Sequence, residues 1–82
     1  MNKKQLFNEW KKLNSELFEK KPKINGSYPY FIVKRRELLL FAQVHLSNII
    51  EAKSRKDKWD EKFETEMYYK VMNEYYNWYK NE

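Results

Sequence analysis

"KKPKINGSYPY", residues 20–30, decides how this chain divides, because it holds the single glycine and both prolines. Asn25-Gly26 is a strong turn signal, and Pro22 and Pro29 interrupt helical hydrogen bonding on either side of it. No other internal breaker exists, so one segment precedes this stretch and a longer one follows. The expected layout is a single helical domain over residues 1–82 with a loop at about 21–29.

The leading segment reads as a helix over about residues 3–20. Asn2 is placed to cap it, and Gln5 stands three places later, the spacing of a capping box. At about 100° per residue, Leu6, Phe7, Trp10, Leu13, Leu17 and Phe18 share an arc of roughly 140°. Lysine and glutamate fill the rest, the pattern of a surface helix with one buried face.

The long segment reads as two helices. The first is expected over about 30–54, starting between Tyr28 and Lys34, with Ser27 as a cap and Pro29 tolerated in its first turn. Phe31 and Ile32 continue the apolar arc of Leu38, Leu39, Ala42, Leu46, Ile49 and Ile50. "PYFIV" also suits an extended segment, but a lone strand has nothing to pair with, so residues 28–33 are helix or irregular. The last helix is expected over about 58–80, with Asp57 as cap and Asp60 and Glu61 in its first turn, where acids suit the dipole. Trp59, Phe63, Met67 and Val71 descend it at four-residue steps as its apolar face. Further along, Val71, Tyr75 and Trp78, with Tyr68, Met72 and Tyr79, provide core and packing for the loop. The turn "SRKD" is short, so these two helices pack antiparallel. The fold class is therefore all-α, a small antiparallel three-helix bundle.

Composition narrows the chemistry. A chain of 82 residues buries only about 60–65% of its unfolded surface, so its core is small. It has no cysteine, hence neither disulfides nor thiolate metal sites. Its longest wholly apolar run, Leu38 to Ala42, is far short of the roughly 20 residues of a membrane span. Lys3 and Lys4 suit the start of a signal peptide, but Gln5, Asn8 and Glu9 interrupt any apolar region behind them, so none is expected. A cytoplasmic protein is expected. The abundance of Lys, Asn, Ile and Tyr suggests an AT-rich genome, such as that of a low-GC bacterium or its phages.

No catalytic constellation stands out. The lone His45 falls inside the apolar arc, and its own helix places no serine, cysteine or acid one turn away. It reads as a half-buried structural histidine rather than a base or a metal ligand. The acids of "DKWDEKFETE" alternate with Lys58 and Lys62 and read as a solvated face. One glycine cannot build a phosphate-cradling loop. Neither catalysis nor a cofactor is expected.

Binding remains, and two features bear on it. Residues 1–41 carry ten Lys/Arg against four acids, a net of +6, while residues 42–82 carry seven against eight. Lys20, Lys21 and Lys23 end the first helix and Lys34, Arg35 and Arg36 begin the second, so an antiparallel pair gathers them at one pole. Tyr28 and Tyr30 lie between them, and cations interleaved with rings suit nucleic-acid backbones and bases. A helix-turn-helix does not fit, because the last helix is long and opens with Asp57, Asp60, Glu61 and Glu64, which repel phosphate. The second feature is surplus apolar surface. Val33, Leu40 and Val44 line up about 120–150° from the centre of the second helix's apolar arc. Tyr69 and Tyr76 stand seven residues apart at the margin of the last helix. Aligned exposed apolar residues point to a partner or an oligomer, and tyrosine suits such a surface.

The leading reading is a small non-enzymatic binding protein that docks to a larger protein, on an acidic surface that the basic half would meet. An inhibitor or accessory factor of nucleic-acid machinery, encoded by a phage or mobile element, is its most specific form. The alternatives are direct DNA or RNA binding through the basic pole and a homo-oligomeric structural protein.

Overall fold

The computed structural model describes residues 1–21 and 23–80, and for Tyr79 and Lys80 the backbone alone. Pro22, expected as a breaker of the loop, and the Tyr79 side chain, expected in the core, lie outside the described part. The chain is an all-α bundle of α1 (Lys3–Phe18), α2 (Tyr30–Arg55) and α3 (Lys58–Lys80).

α1 starts as its capping box requires. Asn2 Oδ1 accepts from the Gln5 N–H at 2.8 Å, and Gln5 Oε1 accepts from the Asn2 N–H at 2.9 Å. It stops at Phe18, two residues earlier than expected, where Glu19 turns to extended backbone (φ −66°, ψ 136°). Lys21 precedes a proline, which disfavours helical backbone there and ends the helix early. Lys20 and Lys21 therefore lie beyond the helix.

Asn25 and Gly26 make the turn that their pairing predicts, with φ of 52° and 79°. Ile24 and Ser27 exchange backbone hydrogen bonds of 2.7 and 3.0 Å across it. This pattern, with both central residues at positive φ, is what Asn-Gly favours. Ser27 is thus committed to the turn and does not cap α2. Pro29 does, in extended conformation, its carbonyl accepting from Ile32 and Val33 N–H at 3.0 and 3.2 Å.

α2 ends where Lys56 enters the left-handed region (φ 59°), and the Asp57 N–H then donates to the Ala52 carbonyl at 2.9 Å. Asp57 caps α3 as expected, its Oδ1 accepting from the Asp60 N–H at 3.1 Å. Arg55 ties the two helices across this turn, donating to Asp60 Oδ2 at 2.8 Å. That bond, with Glu51 and Asp57 nearby, pushes the guanidinium pKa further up.

α2 is the central helix, running antiparallel to both neighbours. Leu6, Leu13 and Leu17 of α1 and Tyr68, Met72 and Tyr75 of α3 close on Leu38, Leu39, Ala42, Leu46 and Ile49. The half-buried rings of Trp10 and Trp78 flank this core. Gln43, nearly buried, links α1 to α2 by donating to the Asn14 side chain at 3.1 Å and the Trp10 carbonyl at 3.4 Å. Among the described residues no Cα of α1 comes within 8 Å of a Cα of α3.

Helix geometry explains two departures from the expected core. Phe7 and Phe18 are exposed because they lie about 100–120° round the wheel from Leu6, on the side away from Glu9 and Glu16, which reach α3. Trp59 is 76% and Phe63 46% exposed. A ridge of four-residue steps drifts by about 40° per step, so it begins on the outer face of α3. Farther along it Met67 is half-buried and Val71 packs against the core.

Candidate binding surfaces

Val33, Leu40 and Val44 emerge on the outer face of α2, roughly opposite Ala42 and Leu46, and remain 48–54% exposed. Phe41, half-exposed beside them, was not legible as part of this surface, because its wheel position falls between the stripe and the core arc. One turn on from Val44, Ser47 forms a wall of a cleft of about 290 Å³ with Phe7, Trp10 and Ile50. The apolar face of α2 thus runs into a cleft that it shares with α1. Glu37 and Glu51 give this side its charge.

Tyr69 and Tyr76 occupy a different side of the molecule. Their ring centroids each lie 5.5 Å from those of Tyr68 and Tyr75, which reach across to α1. The Tyr68 hydroxyl donates to Glu9 Oε1 at 3.4 Å and the Tyr75 hydroxyl to Glu16 Oε2 at 3.1 Å. Burial, and then the charge of Glu9, push the Tyr68 pKa well above its ordinary value. Tyr76 borders a cleft of about 180 Å³ between α1 and α3. The structure therefore does not bring Tyr69 and Tyr76 together with Val33, Leu40 and Val44.

The basic residues gather at one end without forming one patch. Lys34 turns toward α3, 3.9 Å from Glu37 and 4.0 Å from Glu74. Arg35 lies over the Phe31 ring at 4.9 Å, and with Lys21 and Arg36 it lines a cavity of about 60 Å³ against Ile32, Leu39 and Tyr75. Lys21 is 3.0 Å from Glu19. Lys23 and Arg36 both sit on the Tyr28 ring, at 5.1 and 5.6 Å. Lys20 is exposed.

His45 is held by α3 rather than by its own helix. Its Nδ1 is 2.6 Å from Glu64 Oε2, and both side chains are largely buried. Glu64, expected on a solvated face, is instead packed in the seam because it falls on the α2 side of α3. Glu61 also leaves that face, 3.4 Å from Lys53. The imidazole is thus oriented by a carboxylate, but among the described residues no hydroxyl lies within hydrogen-bond reach of it. The contact ties α2 to α3.

Trp59 and Phe63 stack on the outer face of α3, with centroids 5.8 Å apart and planes within 1°. No helix of the described residues is long and apolar enough to cross a membrane. Among them no group of three histidines or acids converges as a metal site. No family model, no curated protein and no solved structure matches this chain.

Proposed function

We propose that this chain is a non-enzymatic binding protein that docks to a protein partner through the outer face of α2. The observation that carries the reading is the alignment of Val33, Leu40 and Val44, each about half-exposed, along one side of the central helix. No described residue covers them, and they continue into the Phe7, Trp10, Ser47 and Ile50 cleft. Exposed apolar side chains scattered singly need no explanation, whereas aligned ones point to a partner. An inhibitor or accessory factor of nucleic-acid-processing machinery, of phage or mobile-element origin, is the most specific form of this proposal and rests on composition alone.

The test is capture from a lysate of the native host, with and without nuclease, using the wild-type chain and Leu40→Glu. A captured protein that survives nuclease and is lost with Leu40→Glu, while the variant keeps its helix content and melting temperature, supports the reading. Equal capture by both chains refutes it.

A second reading, direct DNA or RNA binding, is favoured by Tyr28, an exposed ring flanked by Lys23 and Arg36. It requires binding of labelled oligonucleotides that weakens by orders of magnitude between about 50 and 200 mM salt. Salt-insensitive or absent binding at micromolar protein removes it.

A further inference from the structure

Glu9 and Glu16 stand seven residues apart on α1, and Tyr68 and Tyr75 stand seven apart on α3. α1 and α3 are both antiparallel to α2, so they run parallel to each other and one constellation occurs twice. In each copy a tyrosine hydroxyl donates to a glutamate, at 3.4 Å for Tyr68 and Glu9 and 3.1 Å for Tyr75 and Glu16. In each copy the following tyrosine, Tyr69 or Tyr76, packs 5.5 Å from the first and stays 53% or 51% exposed. Seven residues are two helical turns, so the copies are about 10.5 Å apart. Between them lies the 180 Å³ cleft.

Each carboxylate uses one oxygen for its tyrosine. Among the described residues neither Glu9 nor Glu16 takes part in an ion pair. Half-buried carboxylates with an oxygen to spare, beside tyrosine rings, attract ammonium and guanidinium groups by pairing and by cation–π contact. We propose that this side of the molecule receives two positively charged side chains, and that its occupant is a helix of a partner protein bearing Arg or Lys at positions i and i+7. A helix fits because side chains seven apart on it stand about 10.5 Å apart on one side, the spacing of the two glutamates. Two turns of the guest then match two turns of the host. Lys12 lies on the cleft wall between the two glutamates and opposes the guest, so it sets how tightly the guest is held. This surface is separate from the outer face of α2 and does not depend on that face binding anything.

The experiment is fluorescence anisotropy of a labelled, alanine-rich helical peptide of about 18 residues with two arginines seven apart, titrated with the full chain. Two control peptides carry glutamine at both sites, or arginines five apart, which point about 140° apart on a helix. The seven-spaced peptide is expected to bind about tenfold tighter than either control. The Glu9→Gln/Glu16→Gln pair keeps an acceptor for each tyrosine and is expected to lose about tenfold, in the range of two weak ion pairs. Lys12→Ala is expected to tighten binding by about threefold. Should the glutamine variant unfold by circular dichroism, Tyr69→Ala/Tyr76→Ala is the substitute, with the same loss expected. Equal affinity for both arginine spacings, indifference to the folded variant, or no binding of the seven-spaced peptide at about 1 mM overturns the proposal. A failure here leaves the Leu40→Glu capture result, and hence the α2 reading, untouched.

Discussion

Tyr75 spans the gap between two helices whose backbones do not meet, and its hydroxyl donates to Glu16 at 3.1 Å on the far side. Its ring is buried, so the residue is both a filler and a strut. Tyr75→Phe removes the hydroxyl and with it the bond to Glu16, and is expected to cost about 1 kcal/mol. Tyr75→Ala also empties the ring's volume and is expected to cost about 3–5 kcal/mol. Urea unfolding of both variants separates the two contributions; equal losses would show that the bond, not the ring, matters.

Tyr68 makes stability depend on alkaline pH. Its folded pKa is raised above 10.0, first by burial and then by Glu9. The folded state therefore favours the protonated phenol, and the contribution is fully present below the unfolded pKa of about 10. It is lost as pH rises from there through the folded value. The melting temperature of the wild type is expected to fall more steeply above pH 10 than that of Tyr68→Phe. Parallel curves would refute this.

The His45–Glu64 contact joins α2 to α3 through two largely buried groups. A double-mutant cycle with His45→Ala and Glu64→Ala is expected to give a coupling of about 1–2 kcal/mol. A coupling near zero would mean that the two side chains do not act on each other in solution.

Lys56 holds the left-handed position that ends α2, with φ of 59°. A Cβ is unfavourable in that conformation, and glycine is the usual occupant. Lys56→Gly is expected to stabilise the chain by about 0.5–1 kcal/mol, read as a higher urea midpoint at unchanged slope.

Trp59 and Phe63 are large but outside the core. Trp59→Ser is expected to change stability by no more than about 0.5 kcal/mol, whereas Leu46→Ala, at a fully buried site, should cost about 2–5 kcal/mol. Thermal melts of the two variants side by side check the contrast.

The helices were legible because their signals are local. Asn2 with Gln5, Asn25 with Gly26, and Asp57 each act within a few residues, and the structure uses all three as expected. Ser27 misled because two local roles compete for it, and pairing with Ile24 across the turn won over capping. Trp59 and Phe63 misled because a four-residue ridge looks straight in sequence but winds round the helix. Of the surface residues, Val33, Leu40 and Val44 were legible from one helix's periodicity. The Glu9–Tyr68 and Glu16–Tyr75 bridges were not, because they require the relative register of two helices 59 residues apart in the chain. The shared seven-residue spacing was the available clue. His45 hid its partner for the same reason, since Glu64 belongs to another helix.

The spacing of α1 from α3 also sets the order in which the molecule comes apart. α2 and α3 are joined by a two-residue connection and an Arg55 clamp, whereas α1 hangs on a longer loop and docks its backbone on α2 alone. Amide hydrogens of α1 should therefore exchange with solvent through a partial opening that leaves the α2–α3 hairpin closed. Because that opening unseats both glutamates at once, any guest bound to them would slow exchange throughout α1.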